Sequence, residues 1–155
     1  MSDALRRIQC TADYQFGKGV GDTLFPTNVK VVYSQNTGRI RYIYLDKERL
    51  ATLRPTDGKL SLSLAGAKRI VENSTPRCIV TVKSDVSKFI AEGGDVFAAH
   101  VVNVDEEIRA KDEVIVVNED GDVLAVGRAS LSAEEMKAFK RGVAVKVRRG
   151  NAEEG

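Results

Sequence analysis

The run Val86-Ser87-Lys88-Phe89-Ile90-Ala91-Glu92-Gly93-Gly94-Asp95-Val96-Phe97-Ala98 changes its periodicity midway. Val86, Phe89 and Ile90 fall at helical spacing, and Ser84 or Asp85 just upstream offers a capping side chain. That spacing assigns Phe89 to the core. Gly93-Gly94 stops the helix, because glycine best tolerates the left-handed turn past a helix end. Asp95–Val104 is then strand-like and very apolar. A brief helix that feeds a strand through two glycines predicts a small mixed β domain.

Reading outward supports this. Cys78–Val82 forms a strand before the run, and Asp105–Asp112 is a charged loop after it. Val114–Asn118 and Val123–Ser130 flank Glu119-Asp120-Gly121-Asp122 as a hairpin. Ser132 and Glu135 have capping-box spacing for a helix ending at Gly142. Val143, Val145 and Val147 alternate with Ala144, Lys146 and Arg148 in a last strand, ahead of a frayed acidic tail, 151–155. Several short strands with two brief helices suit a small barrel.

Upstream, Ser74-Thr75-Pro76 marks a boundary, since the residue before proline avoids the helix. Before it, Leu5, Ile8 and Ala12 predict a first helix over 3–16. Gly17-Lys18-Gly19-Val20-Gly21 follows. With no strand before it and no Gly-Lys-Ser/Thr, it reads as a loop or helix-packing element rather than a phosphate loop. Val29–Tyr33, Arg39–Leu45, Leu50–Arg54 and Lys59–Leu64 are strands, with turns at 34–38, Asp46–Arg49 and Pro55-Thr56-Asp57-Gly58. Ala65–Asn73 is a helix. The fold class is α+β: an antiparallel sheet with helices over 1–76, then a β pseudo-barrel with two short helices over 77–150.

Composition narrows the chemistry. The 155 residues hold one histidine, two cysteines and no tryptophan. Four Cys/His ligands for a structural zinc are absent, and two cysteines make no disulfide framework. No apolar stretch approaches the roughly 20 residues that cross a bilayer, and the N-terminus lacks a signal-peptide core, so the reading is cytoplasmic. His100 sits in an apolar strand run with no Ser or Cys motif beside it, and Asp13 suits a capping or structural role. Metal and cofactor are both read as none, and the chain is read as not an enzyme. Net charge is +2, but residues 1–77 hold 13 Lys/Arg against 7 Asp/Glu, a net +6, and the remainder is −4. A basic unit is compatible with a nucleic-acid partner or with a plain solvated face.

The run 86–98, with Ile108–Val117, Leu124–Ala129 and Arg141–Arg148, resembles the PUA domain over about 70 residues in the family's order. Ala12–Gly17, Thr37–Arg41, Leu53–Gly58 and Leu62–Ala67 resemble the region just before the PUA domain in archaeosine tRNA-guanine transglycosylases. That enzyme's catalytic barrel and its zinc ligands have no counterpart here. The resemblance implies structured RNA along Lys88, Phe89, Gly93, Gly94, Asp95, Val96, Phe97, Lys146, Arg148 and Arg149. The glycine N–H groups would meet phosphate or base oxygens, and the strand cations would meet phosphates. In the first unit Arg39, Arg41, Arg49, Arg54, Lys68 and Arg69 could extend the phosphate contacts, with Arg39 and Arg41 alternating on one strand face.

The function this implies is non-catalytic RNA binding, with the acceptor stem and 3′ end of tRNA as partner. The chain would serve as an accessory or split subunit of a tRNA-modifying enzyme such as archaeosine transglycosylase, beside a catalytic subunit. The alternative is a protein–protein assembly subunit of an RNA-modifying complex. No membrane partner is implied.

Overall fold

A computed structural model describes residues 2–153. The chain divides into two compact units, one ending at Pro76 and the other beginning at Arg77.

The first unit opens with helix α1, Asp3–Phe16. The Ser2 side chain caps it by accepting from Leu5 N–H at 3.1 Å, and Leu5, Ile8, Ala12 and Phe16 form its buried face. A second helix, α2 (Val20–Leu24), follows within a few residues, where the glycine run reads as a loop or helix-packing element. The reason is close packing: a Cβ on Gly21 would lie 2.2 Å from the Gln9 carbonyl oxygen, so only glycine lets α2 meet α1 backbone to backbone. Asp13 secures the contact by accepting from Gly21 N–H at 2.7 Å, the structural role its position suggested.

Four strands then form an antiparallel meander: β1 (Lys30–Tyr33), β2 (Ile40–Leu45), β3 (Glu48–Leu53) and β4 (Leu60–Leu62). The β2–β3 turn is two residues long, Asp46 and Lys47, both at positive φ. It is shorter than the turn read over Asp46–Arg49, because Glu48 and Arg49 already pair in the ladder. Helix α3, Leu64–Asn73, is capped by Ser63, which accepts from Gly66 N–H at 3.0 Å. Ile43, Ala51, Leu60 and Leu62 line the buried face of the sheet, on the side of the helices. Gln15 closes the β4 edge in the manner of a neighbouring strand. Its amide donates to Leu60 C=O and accepts from Leu60 N–H, at 2.7 and 2.8 Å.

The second unit is a six-stranded sheet of β5 (Ile79–Val82), β6 (Val96–Phe97), β7 (Val101–Val104), β8 (Glu113–Val117), β9 (Val123–Ala129) and β10 (Val143–Gly150). Their spatial order is β6-β10-β9-β8-β5-β7. The two edge strands, β6 and β7, are separated in sequence only by the 3-10 turn Ala98–His100, so the sheet curls until its edges approach and nearly closes a barrel. That turn also corrects the single strand read over Asp95–Val104. Valines and alanines from every strand, with Ile90, Ile108 and Met136, fill the interior.

Two short helices flank the barrel: α4, Ser87–Ala91, and α5, Ala133–Ala138. The Ser132/Glu135 capping box starts α5, with reciprocal bonds of 3.2 and 2.9 Å. The helix ends at Ala138 rather than at Gly142, because Phe139 is already extended. The tail is not frayed over its described part. Asn151 N–H donates to Leu124 C=O and Ala152 N–H to Ala91 C=O, both at 2.7 Å. Glu154 and Gly155, the rest of that tail, lie outside the described residues. Among the described residues no helix is long and apolar enough to cross a membrane.

Candidate nucleic-acid interface

The helix–glycine–strand run of the second unit lies against β10. Val96 pairs with Val145, and Phe97 with Val143. Asp95 accepts from Val147 N–H at 2.9 Å, which satisfies a donor beside the irregularity where β10 shifts register against β9. Gly150 packs so tightly under α4 that a Cβ there would sit 2.3 Å from the Ala91 carbonyl oxygen. Lys88–Phe97 and Lys146–Arg149, distant in sequence, therefore share one region.

Their roles within it differ. Gly93 N–H donates to Ile90 C=O and Gly94 N–H to Phe89 C=O, both at 2.9 Å, with Gly93 at φ +105°. This is the paired bonding of a Schellman helix end. Both glycine N–H groups are thus spent on the helix, and neither is left for a phosphate or base, contrary to the sequence reading. The glycines act through shape instead. A Cβ on Gly94 would meet the Phe89 ring at 2.3 Å, so the ring lies flat against the loop. Phe89 itself is 53% exposed, not part of the core. It sits at the third position from the helix end, where a hydrophobic side chain normally covers the glycine turn, and here one edge of the ring is left to solvent.

Val96 is fully buried and offers no side chain. Phe97 is 39% exposed and meets His100 edge-on, with ring centroids 6.2 Å apart. On the outer barrel surface Glu113, Arg128 and Lys146 occupy one cross-strand row over β8, β9 and β10. Arg148, two residues beyond Lys146, reaches back to Glu113. Its two terminal nitrogens donate to the two carboxylate oxygens at 2.9 and 2.5 Å. The Glu113 side chain is fully buried and that of Arg148 is 39% exposed. Arg148 is therefore an anchor for a buried carboxylate, whereas Lys146 is exposed. Arg149 is half-buried opposite Val126. Arg128, which sequence reading did not select, is the one exposed residue of β9 and stands beside Lys146. Only the strand register reveals that adjacency.

In the first unit the selected cations scatter. Arg39 is exposed at the first hairpin, and Lys68 is exposed on α3. Arg41 occupies a bulge, where pairing passes from Val32–Tyr42 to Tyr33–Ile40, so it does not simply alternate with Arg39. Its guanidinium lies 5.5 Å from the Tyr42 ring centre. Arg54 is held by Asp57 at 3.1 Å with only 15% of its side chain exposed. Arg69 donates from Nε to Thr23 C=O at 2.6 Å and ties α3 to the end of α2. Arg54 and Arg69 are thus structural.

Neither perturbed group offers reactive chemistry. Burial raises the Cys78 thiol well above its ordinary 9.0, and the Asp105 and Glu113 carboxylates push the same way. A thiol so held does not ionise near neutral pH and makes no nucleophile. Desolvation also raises the Asp105 carboxyl, with Glu107 adding to it, against the bond it accepts from Ile79 N–H at 2.8 Å. Among the described residues no group of three or more His, Cys, Asp and Glu side chains is placed to hold a metal ion.

Comparison with known proteins agrees with this geometry. Residues 6–77 match the family described as the patch-forming domain C2 of tRNA-guanine transglycosylase, and residues 79–150 match the PUA domain. The tRNA-guanine(15) transglycosylase of Methanobrevibacter smithii is 46% identical over 149 residues, covering 96% of this chain but 23% of that enzyme. This chain therefore spans about a quarter of the length of such a relative, and aligns with its C-terminal region. Among solved structures, a conserved PUA domain protein from Thermoplasma acidophilum superposes with a TM-score of 0.69 at 26% identity, covering 99% of this chain and 93% of that one. A hypothetical protein from Pyrococcus horikoshii superposes with a TM-score of 0.78 at 24% identity, covering 98% and 93%, which speaks to the fold. The chain is a PUA-domain protein whose two domains, C2 and PUA, belong with the C-terminal region of the archaeal tRNA-guanine transglycosylases.

Proposed function

We propose that this chain binds tRNA and serves, without catalysis of its own, as the RNA-gripping part of an archaeosine-type transglycosylase or a related tRNA-modifying enzyme in the cytoplasm. The observation that carries this is the 46% identity along 96% of the chain to the terminal quarter of an enzyme named for acting on tRNA guanine. The residues suit the role. Lys146 and Arg128 present adjacent cations for phosphates, and the partly exposed rings of Phe89 and Phe97 suit stacking on unpaired bases at a 3′ end. Lys88 stands beside Phe89 on α4. Residues 78–155 carry a net −4, so attraction to RNA here is local to this patch rather than a property of the domain.

A gel-shift titration with transcribed tRNA tests the reading. Specific retention should weaken with salt, and the slope should drop by about one phosphate when Lys146→Ala or Arg128→Ala removes a contact. Affinity for tRNA no better than for a random duplex refutes it. A second reading, a protein-assembly subunit, has its own observation. Val102 on β7 and Phe139 just past α5, 48% and 47% exposed, line an apolar groove flanked by Lys137 and Lys140. A stoichiometric enzyme retained from nuclease-treated extract, and lost with Phe139→Asp, would favour it.

A further inference from the structure

The four-stranded sheet of the first unit buries one face against its helices and leaves partly exposed side chains on the other. Its helix-side face is sealed by Ile43, Ala51, Leu60 and Leu62, each at most 2% exposed. The register puts Val32, Tyr42, Thr52 and Ser61 in one row of the opposite face, and Lys30, Tyr44 and Arg49 in the next. None of these seven is buried: Lys30 and Arg49 are exposed, and Val32, Tyr42, Tyr44, Thr52 and Ser61 are half-buried. Tyr42 and Tyr44 stand side by side with ring centroids 6.4 Å apart, tilted 60° to each other. The bulge at Arg41 swings its guanidinium to the Tyr42 ring. The two rows hold two tyrosines, two cations (Lys30 and Arg49) and no carboxylate, with Arg41 added at the bulge.

We infer that this face is a second nucleic-acid surface, one that stacks unpaired RNA bases on Tyr42 and Tyr44 and holds the adjoining phosphates with Lys30, Arg41 and Arg49. The inference rests on the RNA-binding reading above but uses different residues in a different unit. A four-stranded antiparallel sheet with aromatics on its open face is a recurrent way of holding two or three splayed bases. Every base has a π-face, so stacking needs no particular sequence, and guanidinium planes stack as rings do. Charge selects the occupant: residues 1–77 carry a net +6, and Lys30, Arg41 and Arg49 with no carboxylate in either row suit a polyanion better than a protein surface of mixed sign.

The test uses the full chain and a uridine oligonucleotide of about ten nucleotides containing 4-thiouridine, a length typical of single-strand sites. Irradiation should crosslink it to peptides of β1–β3, and a blunt RNA duplex should compete poorly. Tyr42→Leu and Tyr44→Leu should each weaken the oligonucleotide about fivefold or more, whereas Tyr42→Phe and Tyr44→Phe, which keep the ring, should bind as the parent does. Crosslinks confined to residues 77–155, or a folded double-leucine variant that binds like the parent, overturn the inference. So does a protein, rather than RNA, held by this face. Retention of tRNA that survives the leucine variants but falls with Lys146→Ala would remove this inference and leave the tRNA reading standing. Crosslinks at Tyr42 in a chain that does not retain tRNA would do the opposite.

Discussion

Replacing Arg148 with alanine leaves the Glu113 carboxylate, which has no exposed side-chain surface, without its two charge-assisted bonds. Breaking a buried pair from one side costs about 3–5 kcal/mol, because the remaining charge stays desolvated after its counter-ion is removed. Arg148 keeps 39% exposure, so water can follow partway into the space it vacates, which puts the expected loss near the lower figure, about 3 kcal/mol. For a domain of this size each kcal/mol moves the unfolding midpoint by about 4–8 °C, so calorimetry of the Arg148→Ala chain should show the second unit melting about 12–24 °C lower. The double variant Glu113→Met/Arg148→Met removes both charges and should recover most of that drop, since two well-packed apolar groups replace a pair whose desolvation nearly offsets its attraction. A single variant within about 4 °C of the parent, or a double variant no more stable than the single, would refute the claim that Arg148 serves Glu113.

Three further outcomes follow from contacts elsewhere. Gly21→Ala sets a Cβ 2.2 Å from a carbonyl oxygen of α1, which must move, so the first unit should lose about 1–3 kcal/mol in denaturant titration. A thiol reagent at pH 8 should modify one cysteine, the exposed Cys10, in the native chain and both in denaturant. Because the folded Cys78 thiol is raised above its unfolded value, the stability it contributes is present below about pH 9 and falls as the unfolded thiol ionises above that. Asp105 is likewise raised, so its carboxyl favours folding below the unfolded carboxylate range and loses that contribution as pH rises. Asp105→Asn, which can still accept from Ile79 N–H, should gain stability relative to the parent at pH 7 and lose the advantage in acid.

The elements that sequence periodicity located well were those whose local chemistry and tertiary role agree. The Ser132/Glu135 box caps a real helix, the valine alternation of 143–147 is a real strand, and Leu5, Ile8 and Ala12 face a real core. The misplacements arose where distant residues overrule the local pattern. α2 exists because Gly21 can touch Gln9 and because Asp13 accepts from its N–H, neither of which is visible in residues 20–24 alone. The apolar run 95–104 looks like one strand, yet its two ends pair with different neighbours, β10 and β5, and the chain must turn at Ala98–His100 to reach both. The tail was read from its polarity, but backbone bonds to Leu124 and Ala91, with the Glu153 carboxylate accepting from Gly150 N–H at 2.7 Å, hold its described part.

The same distinction explains the candidate site. A motif names positions, and it does not say which atoms at those positions are already committed. Gly93, Gly94, Asp95 and Val96 are needed to end α4, satisfy Val147 N–H and fill the barrel, so each would be required in the run whether or not anything binds there. Substituting them would disturb the fold along with any binding, so a loss of binding would not isolate recognition. The informative positions are those whose side chains remain exposed: Lys88, Phe89, Phe97 and Lys146, with Arg128 brought in by the register, although its Nε also donates to Lys111 C=O at 3.4 Å. Phe89 is the sharpest of them. Core spacing assigned it inward, but α4 lasts only five residues, and a helix that short buries Ile90 alone while its neighbour is left to cover the glycine turn. A ring that rests on glycine and faces solvent costs the fold little to replace, so Phe89→Leu should keep the unfolding midpoint near the parent's, within about 1 kcal/mol. It should lose about 1–3 kcal/mol of tRNA affinity if a base stacks there, and an unchanged affinity would remove Phe89 from the interface.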